Sequence, residues 1–128
     1  MKALFLAKQV IKDYESIDTL TTTESYKAGE IIKLCFLAEK NLDKLLSELF
    51  NEYSKAKFNR ESNYKYYLKF GGAYPDSTLC NNLLETIKKI KEIKKNIYSN
   101  INNIKSFKPW RYNVSLKIFL DKMKLLFI

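Results

Sequence analysis

The sequence predicts an all-α fold, a bundle of four to five helices of which one or two are long, forming a single domain over residues 1–128. Three observations predict it. Glycine and proline number 3 and 2, far under the usual ~7% and ~5%, and a fold of many strands and tight turns needs more of both. Apolar residues recur at spacings of three and four along most of the chain, the period of one helix face. No proline or glycine falls between residues 30 and 58, so a helix approaching thirty residues meets no breaker there. With 128 residues, 46% of them hydrophobic, the chain removes roughly two thirds of its unfolded surface from water and needs neither disulfide nor metal to hold a core.

The elements follow in order. Residues 2 to about 17 place Leu4, Ala7, Val10, Ile11 and Tyr14 at helical spacing, with Lys8, Lys12, Asp13 and Glu15 elsewhere on the wheel. Threonines at 19 and 21–23 break that pattern, and Thr21 with Glu24 reads as a capping box opening a second helix. Ile31, Leu34, Cys35, Ala38, Leu42, Leu45, Leu46 and Leu49 carry it onward, with a bend expected at Asn41 and a close helix contact at Gly29. A short helix is expected over 59–70, stopping at Gly71-Gly72, where a left-handed cap is sterically free. Asp76, Ser77 or Thr78 then caps a helix over about 77–105, whose apolar stripe runs from Leu79 to Ile104 and whose other side carries Lys88, Lys91 and Lys95. Pro109 ends it. A final apolar helix is expected over 113–128.

Charge is uneven. The chain has 23 Lys+Arg against 14 Asp+Glu, net +9. Residues 1–50 hold 7 basic and 8 acidic residues and residues 51–128 hold 16 and 6, so the excess, and with it a surface for a polyanionic partner, belongs to the later part. Lysine-based solubility is the alternative source of such an excess.

Function classes are narrowed by absence. With His 0, every scheme that runs through imidazole is removed, and no His is left for a zinc site. No phosphate-cradling glycine loop, nucleophile elbow or H-E-x-x-H motif occurs, so the chain is read as non-enzymatic, without cofactor or metal. Cys35 and Cys80 lack C-x-x-C spacing and read as buried free thiols. Lys8 and Lys12 interrupt the opening apolar stretch before it becomes a signal peptide, and nothing approaches a membrane span, so a cytoplasmic setting is expected.

The informative constellation mixes cations and rings. Lys55, Lys57, Arg60, Lys65 and Lys69 interleave with Phe58, Tyr64, Tyr66, Tyr67, Phe70 and Tyr74. Lysine and arginine neutralise phosphates and a ring face stacks on an unpaired base, a mixture suited to single-stranded RNA or DNA. The competing reading packs Tyr64, Tyr67 and Phe70 into the core. The second candidate is the lysine face of the long late helix. Lys88, Lys91, Lys94 and Lys95 there follow a phosphate backbone at about one helical turn, 5–6 Å, per cation, unless the face is merely solvated. Arg60 joins them as a phosphate contact, and Tyr66 or Tyr74 is the stacking candidate.

Two stretches also carry a resemblance. Tyr26-Lys27-Ala28-Gly29 with Ile31-Ile32-Lys33-Leu34, and Phe70-Gly71-Gly72-Ala73-Tyr74-Pro75 leading to Leu83-Leu84 and a basic helix, resemble the small-subunit region of type I CRISPR effector (Cascade) complexes, over residues 24–95. The resemblance implies an antiviral-defence ribonucleoprotein subunit: a helical bundle, stacked in two or more copies along the crRNA-bearing backbone, supporting a target or displaced DNA strand through basic residues. It brings Lys27, Lys88 and Lys91 forward as basic residues on matching helices. The expected partners are thus nucleic acid and other subunits, including copies of this chain, and no membrane. Two rivals stand beside this reading. One is a helical regulator, of the phage or plasmid anti-defence kind, docking on an acidic protein surface through Trp110 and Tyr112. The other is a membrane-surface module inserting Leu125, Leu126, Phe127 and Ile128.

Overall fold

A computed structural model of the protein describes residues 2–18, 22–104 and 109–128. The chain runs α1 (Lys2–Glu15), β1 (Thr23–Lys27), α2 (Ala28–Phe70), α3 (Thr78–Asn103), β2 (Pro109–Asn113) and α4 (Val114–Lys124). It is a helical bundle with two long helices, as the apolar period predicts, closed by a small antiparallel ribbon of β1 and β2.

Three expectations are corrected. The helices expected on either side of residue 58 are one, a 43-residue α2. Nothing between Gly29 and Gly71 breaks a helix, and the polar run from Asn59 to Asn63 has no reason to leave it once the preceding turns are formed. The second correction is the ribbon. Thr23 pairs with Asn113, Ser25 with Arg111 and Tyr26 with Trp110, residues whose β-branched and aromatic side chains suit a pleated surface but whose partners lie far apart in sequence. Glu24 is therefore in a strand, α2 opens at Ala28, and Lys27 is its N-cap without a side-chain hydrogen bond; Thr21 lies outside the described residues. Arg111 fastens the ribbon, donating from Nε to Thr23 Oγ1 at 3.0 Å and from Nη2 to the Thr23 carbonyl at 2.5 Å.

Gly29 supplies the third correction. Helix α2 runs through Asn41, and Gly29 sits on its exposed side with nothing within 4 Å of where a Cβ would stand. The helix ends where expected: Gly71 has φ 78° and its N–H donates to the Tyr67 carbonyl at 2.8 Å, followed by Gly72 at φ 104°.

The core is assembled from one stripe of each helix. Ile31, Cys35, Leu42, Leu45 and Leu49 of α2 face Leu83, Ile90 and Ile97 of α3, with Val10 of α1 and Phe119, Leu120 and Met123 of α4 closing the sides. Each such aliphatic or aromatic side chain contributes about 1.5–3 kcal/mol by leaving water. Polar groups fix the ends. Glu52 accepts from the Ala3 and Leu4 N–H groups at 3.0 and 3.3 Å, placing a carboxylate at the N-terminus of α1. Asn113 caps α4 by accepting from the Leu116 N–H at 2.9 Å.

The last fully buried residue of α2 is Leu49. Tyr53 and Ala56 still pack against the core from one side, and beyond them α2 continues as an arm whose Tyr64 and Tyr67 meet Tyr74 of the return segment. Cys35 and Cys80 are buried free thiols; burial, with Glu39 nearby, pushes the Cys35 thiol up to about 11, so it carries no reactive thiolate.

Candidate nucleic-acid interface

Helix α3 turns its isoleucines into the bundle, and the 3.6-residue period then fixes where its lysines go. Lys88, Lys91 and Lys95 are exposed along one flank, spaced three and four residues apart. Among the described residues none of the three forms an ion pair with a carboxylate, although Glu39 lines the same groove as Lys91 and Lys95. Glu85 lies 3.6 Å from Lys89, and Asp43 of α2 holds Lys94 at 2.5 Å. That hydrogen bond keeps the Lys94 ammonium above the usual lysine range, against a smaller opposing push from burial. Lys94 is therefore compensated in place, whereas Lys88, Lys91 and Lys95 are not paired with a carboxylate among the described residues.

Between α2 and α3 this flank borders an open groove of about 410 Å³ lined by Glu39, Leu46, Lys91, Lys94, Lys95 and Tyr98. The Lys91 ammonium stands 5.0 Å from the centre of the Phe50 ring, a cation–π contact to α2. Phe50 and Tyr98 were not singled out from sequence. Each sits one position from a buried aliphatic residue, Leu49 or Ile97, and reads as part of the core stripe until its side of the helix is known.

The remaining sequence candidates fall into separate places. Lys65, Tyr66 and Lys69 are exposed on the arm, and Tyr74 on the loop beside it. Arg60 is half-buried, with its Nε enclosed and without a hydrogen-bond partner. Lys27 is exposed at the opposite end of α2, about 60 Å from Phe70 at 1.5 Å per residue, and is not brought together with the others.

The rings of the arm sort into two groups. Tyr74 meets Tyr64 and Tyr67 edge-on at 5.9 and 5.4 Å, and Tyr64 stacks with Tyr67 at 6.4 Å. This cluster pins the return segment to the helix. Tyr66 and Phe70 point elsewhere, their ring centres 4.8 Å apart. The expectation that Tyr64, Tyr67 and Phe70 pack together in the core thus gives way: the two tyrosines form a surface cluster and Phe70 is 66% exposed.

Tyr112, offered as a surface anchor for a protein partner, is only 3% exposed in the core, and Trp110 packs on it at 5.2 Å. At the C-terminal end Leu126 and Phe127 are half-buried, and Lys44 lies 4.5 Å over the Phe127 ring. Among the described residues no helix is long and apolar enough to cross a membrane. No protein-family model, curated protein or solved structure matches the chain.

Proposed function

We propose that the chain is a non-catalytic, nucleic-acid-binding helical subunit of a ribonucleoprotein effector complex, contacting the phosphate backbone of a crRNA or of a target or displaced DNA strand. The observation that carries this reading is the row of Lys88, Lys91 and Lys95 on α3, exposed and, among the described residues, without an ion pair to a carboxylate. Cations one turn apart on a rigid helix neutralise successive phosphates and release their counterions, which supplies affinity without base code. Specificity then resides in the nucleic acid and in the neighbouring subunits. The likeness of the Tyr26–Leu34 and Phe70–Pro75 stretches to the small subunit of type I CRISPR effector complexes supports the same assignment.

The test is the salt dependence of binding. A Lys91→Glu/Lys95→Glu variant is expected to lose affinity for an RNA or DNA oligonucleotide and to flatten the logarithmic salt slope by roughly one to two units. An unchanged slope removes α3 from the interface. Co-purification of RNA with the native assembly, and its loss on nuclease treatment, separates a ribonucleoprotein subunit from a free protein-binding regulator.

A further inference from the structure

We infer that the outward face of the α2 arm is a platform for unpaired bases, built on Tyr66, Phe70 and Phe58 and flanked by Lys55, Lys65 and Lys69. The inference rests on the nucleic-acid reading above and adds to it a second site and the state of the strand it takes.

The argument begins with position. Residues 55, 58, 59, 62, 65, 66, 69 and 70 recur at three and four, so they occupy one side of the arm. All of them are exposed, while the half-burial of the arm falls on Ala56, Arg60 and Tyr67, on the other side. Phe58, Tyr66 and Phe70 are 68%, 62% and 66% exposed. These rings contribute nothing to the core, and their apolar faces remain in water.

Geometry separates them from the pinned cluster. Tyr64, Tyr67 and Tyr74 turn ring edges and faces to one another and hold the loop. Tyr66 and Phe70 form an open pair, with the Lys69 ammonium 5.6 Å from the Phe70 ring centre. Two exposed rings tilted 41° to each other, with a cation close by, match a base and its phosphate, and stacking on such rings is tolerant of sequence. Only a strand whose bases are unpaired exposes a face to stack.

Charge selects the occupant. Residues 53–75 contain Lys55, Lys57, Arg60, Lys65 and Lys69 against the single acid Glu61, which borders the platform beside Lys65 without a salt bridge to it among the described residues. A second copy of the arm would bring like charges together, so self-association through this face is opposed. A polyanion with apolar faces is favoured. From Lys55 to Lys69 the platform spans about 21 Å at 1.5 Å per residue.

The experiment measures binding of the full chain to a 20-nucleotide oligothymidine and to a 20-base-pair duplex by fluorescence anisotropy. A Tyr66→Ala/Phe70→Ala variant is expected to weaken single-strand binding roughly tenfold or more, from about 1–3 kcal/mol per lost stack, with duplex binding changed less than about twofold. Tyr66→Trp/Phe70→Trp is expected to keep single-strand affinity, which a loss caused by misfolding would not restore. If the alanine variant binds the single strand like the parent while Lys91→Glu/Lys95→Glu still weakens both oligonucleotides, the platform is wrong and the α3 reading stands. Failure of the unaltered chain to bind either oligonucleotide overturns both. Competition by polyglutamate as effective as by oligothymidine overturns the platform in favour of an acidic protein partner.

Discussion

The side-chain amide of Asn41 donates to the carbonyl oxygen of Met123 at 2.7 Å, and again to that of Lys124 at 3.1 Å. A mid-helix asparagine thus satisfies the last carbonyls of a different helix, which its own helix cannot do. Replacing Asn41 with alanine is expected to cost about 1–3 kcal/mol, measured by urea unfolding, with the midpoint lowered and the slope unchanged.

Lys94 and Lys95 are neighbours with different prospects. Because Asp43 already compensates Lys94, Lys94→Gln is expected to weaken oligonucleotide binding less than Lys95→Gln. Asp43→Asn should release Lys94, tighten binding and steepen the single-strand salt slope by up to about 0.7 unit, the contribution of one additional phosphate contact. Anisotropy titrations between low and moderate salt decide it.

Gly71 holds φ 78° and ψ −161° at the end of the arm, a region that side-chain-bearing residues rarely enter. No atom crowds a Cβ there, so Gly71→Ala tests backbone strain alone. A loss on the order of 1–3 kcal/mol is expected, read by thermal unfolding.

Asp76 accepts from the Thr78 hydroxyl at 2.6 Å and from the Thr78 N–H at 2.9 Å. The Thr78 side-chain hydrogen bond, seconded by the backbone one, holds this carboxyl below the usual 3.8. A carboxyl depressed in the folded state stabilises above its unfolded value and loses that contribution as pH falls through its folded value. The melting temperature of Asp76→Ala is therefore expected to lie below that of the parent near pH 6, with the gap narrowing on acidification below pH ~4.

The boundary between bundle and arm is also testable by stability. Leu49, fully buried, is expected to cost about 2–5 kcal/mol as Leu49→Ala. Phe58→Ser, about one turn beyond Ser54 on the exposed face, is expected to stay within about 0.5 kcal/mol.

Much of the fold was legible because helical period is a local signal. The stripes through Leu42 and Leu45, and through Leu83 and Ile90, identify their helices without reference to anything else. The ribbon was not legible, since Tyr26 and Trp110 meet across 84 positions and neither segment shows strand alternation long enough to stand alone. Asn41 looked like a weak point because an asparagine competes with helical hydrogen bonding in isolation; its partner on α4 reverses that. In the candidate site, residue type located the cations and rings, yet burial sorted them. Tyr67 and Tyr66 are adjacent and chemically identical, and only the fold assigns one to a pinned cluster and the other to open solvent.

The ribbon and α4 impose an order on synthesis. At about 5–20 residues per second, the hairpin of α2 and α3 is complete on the ribosome a few seconds before Lys124 is made. Until then the Asn41 flank of α2 has no helix against it and β1 has no second strand. The growing chain thus passes through an interval in which the residues of its longest helix are all present and its seam is open, and the rate at which residues 104–124 are added sets the least time that interval lasts.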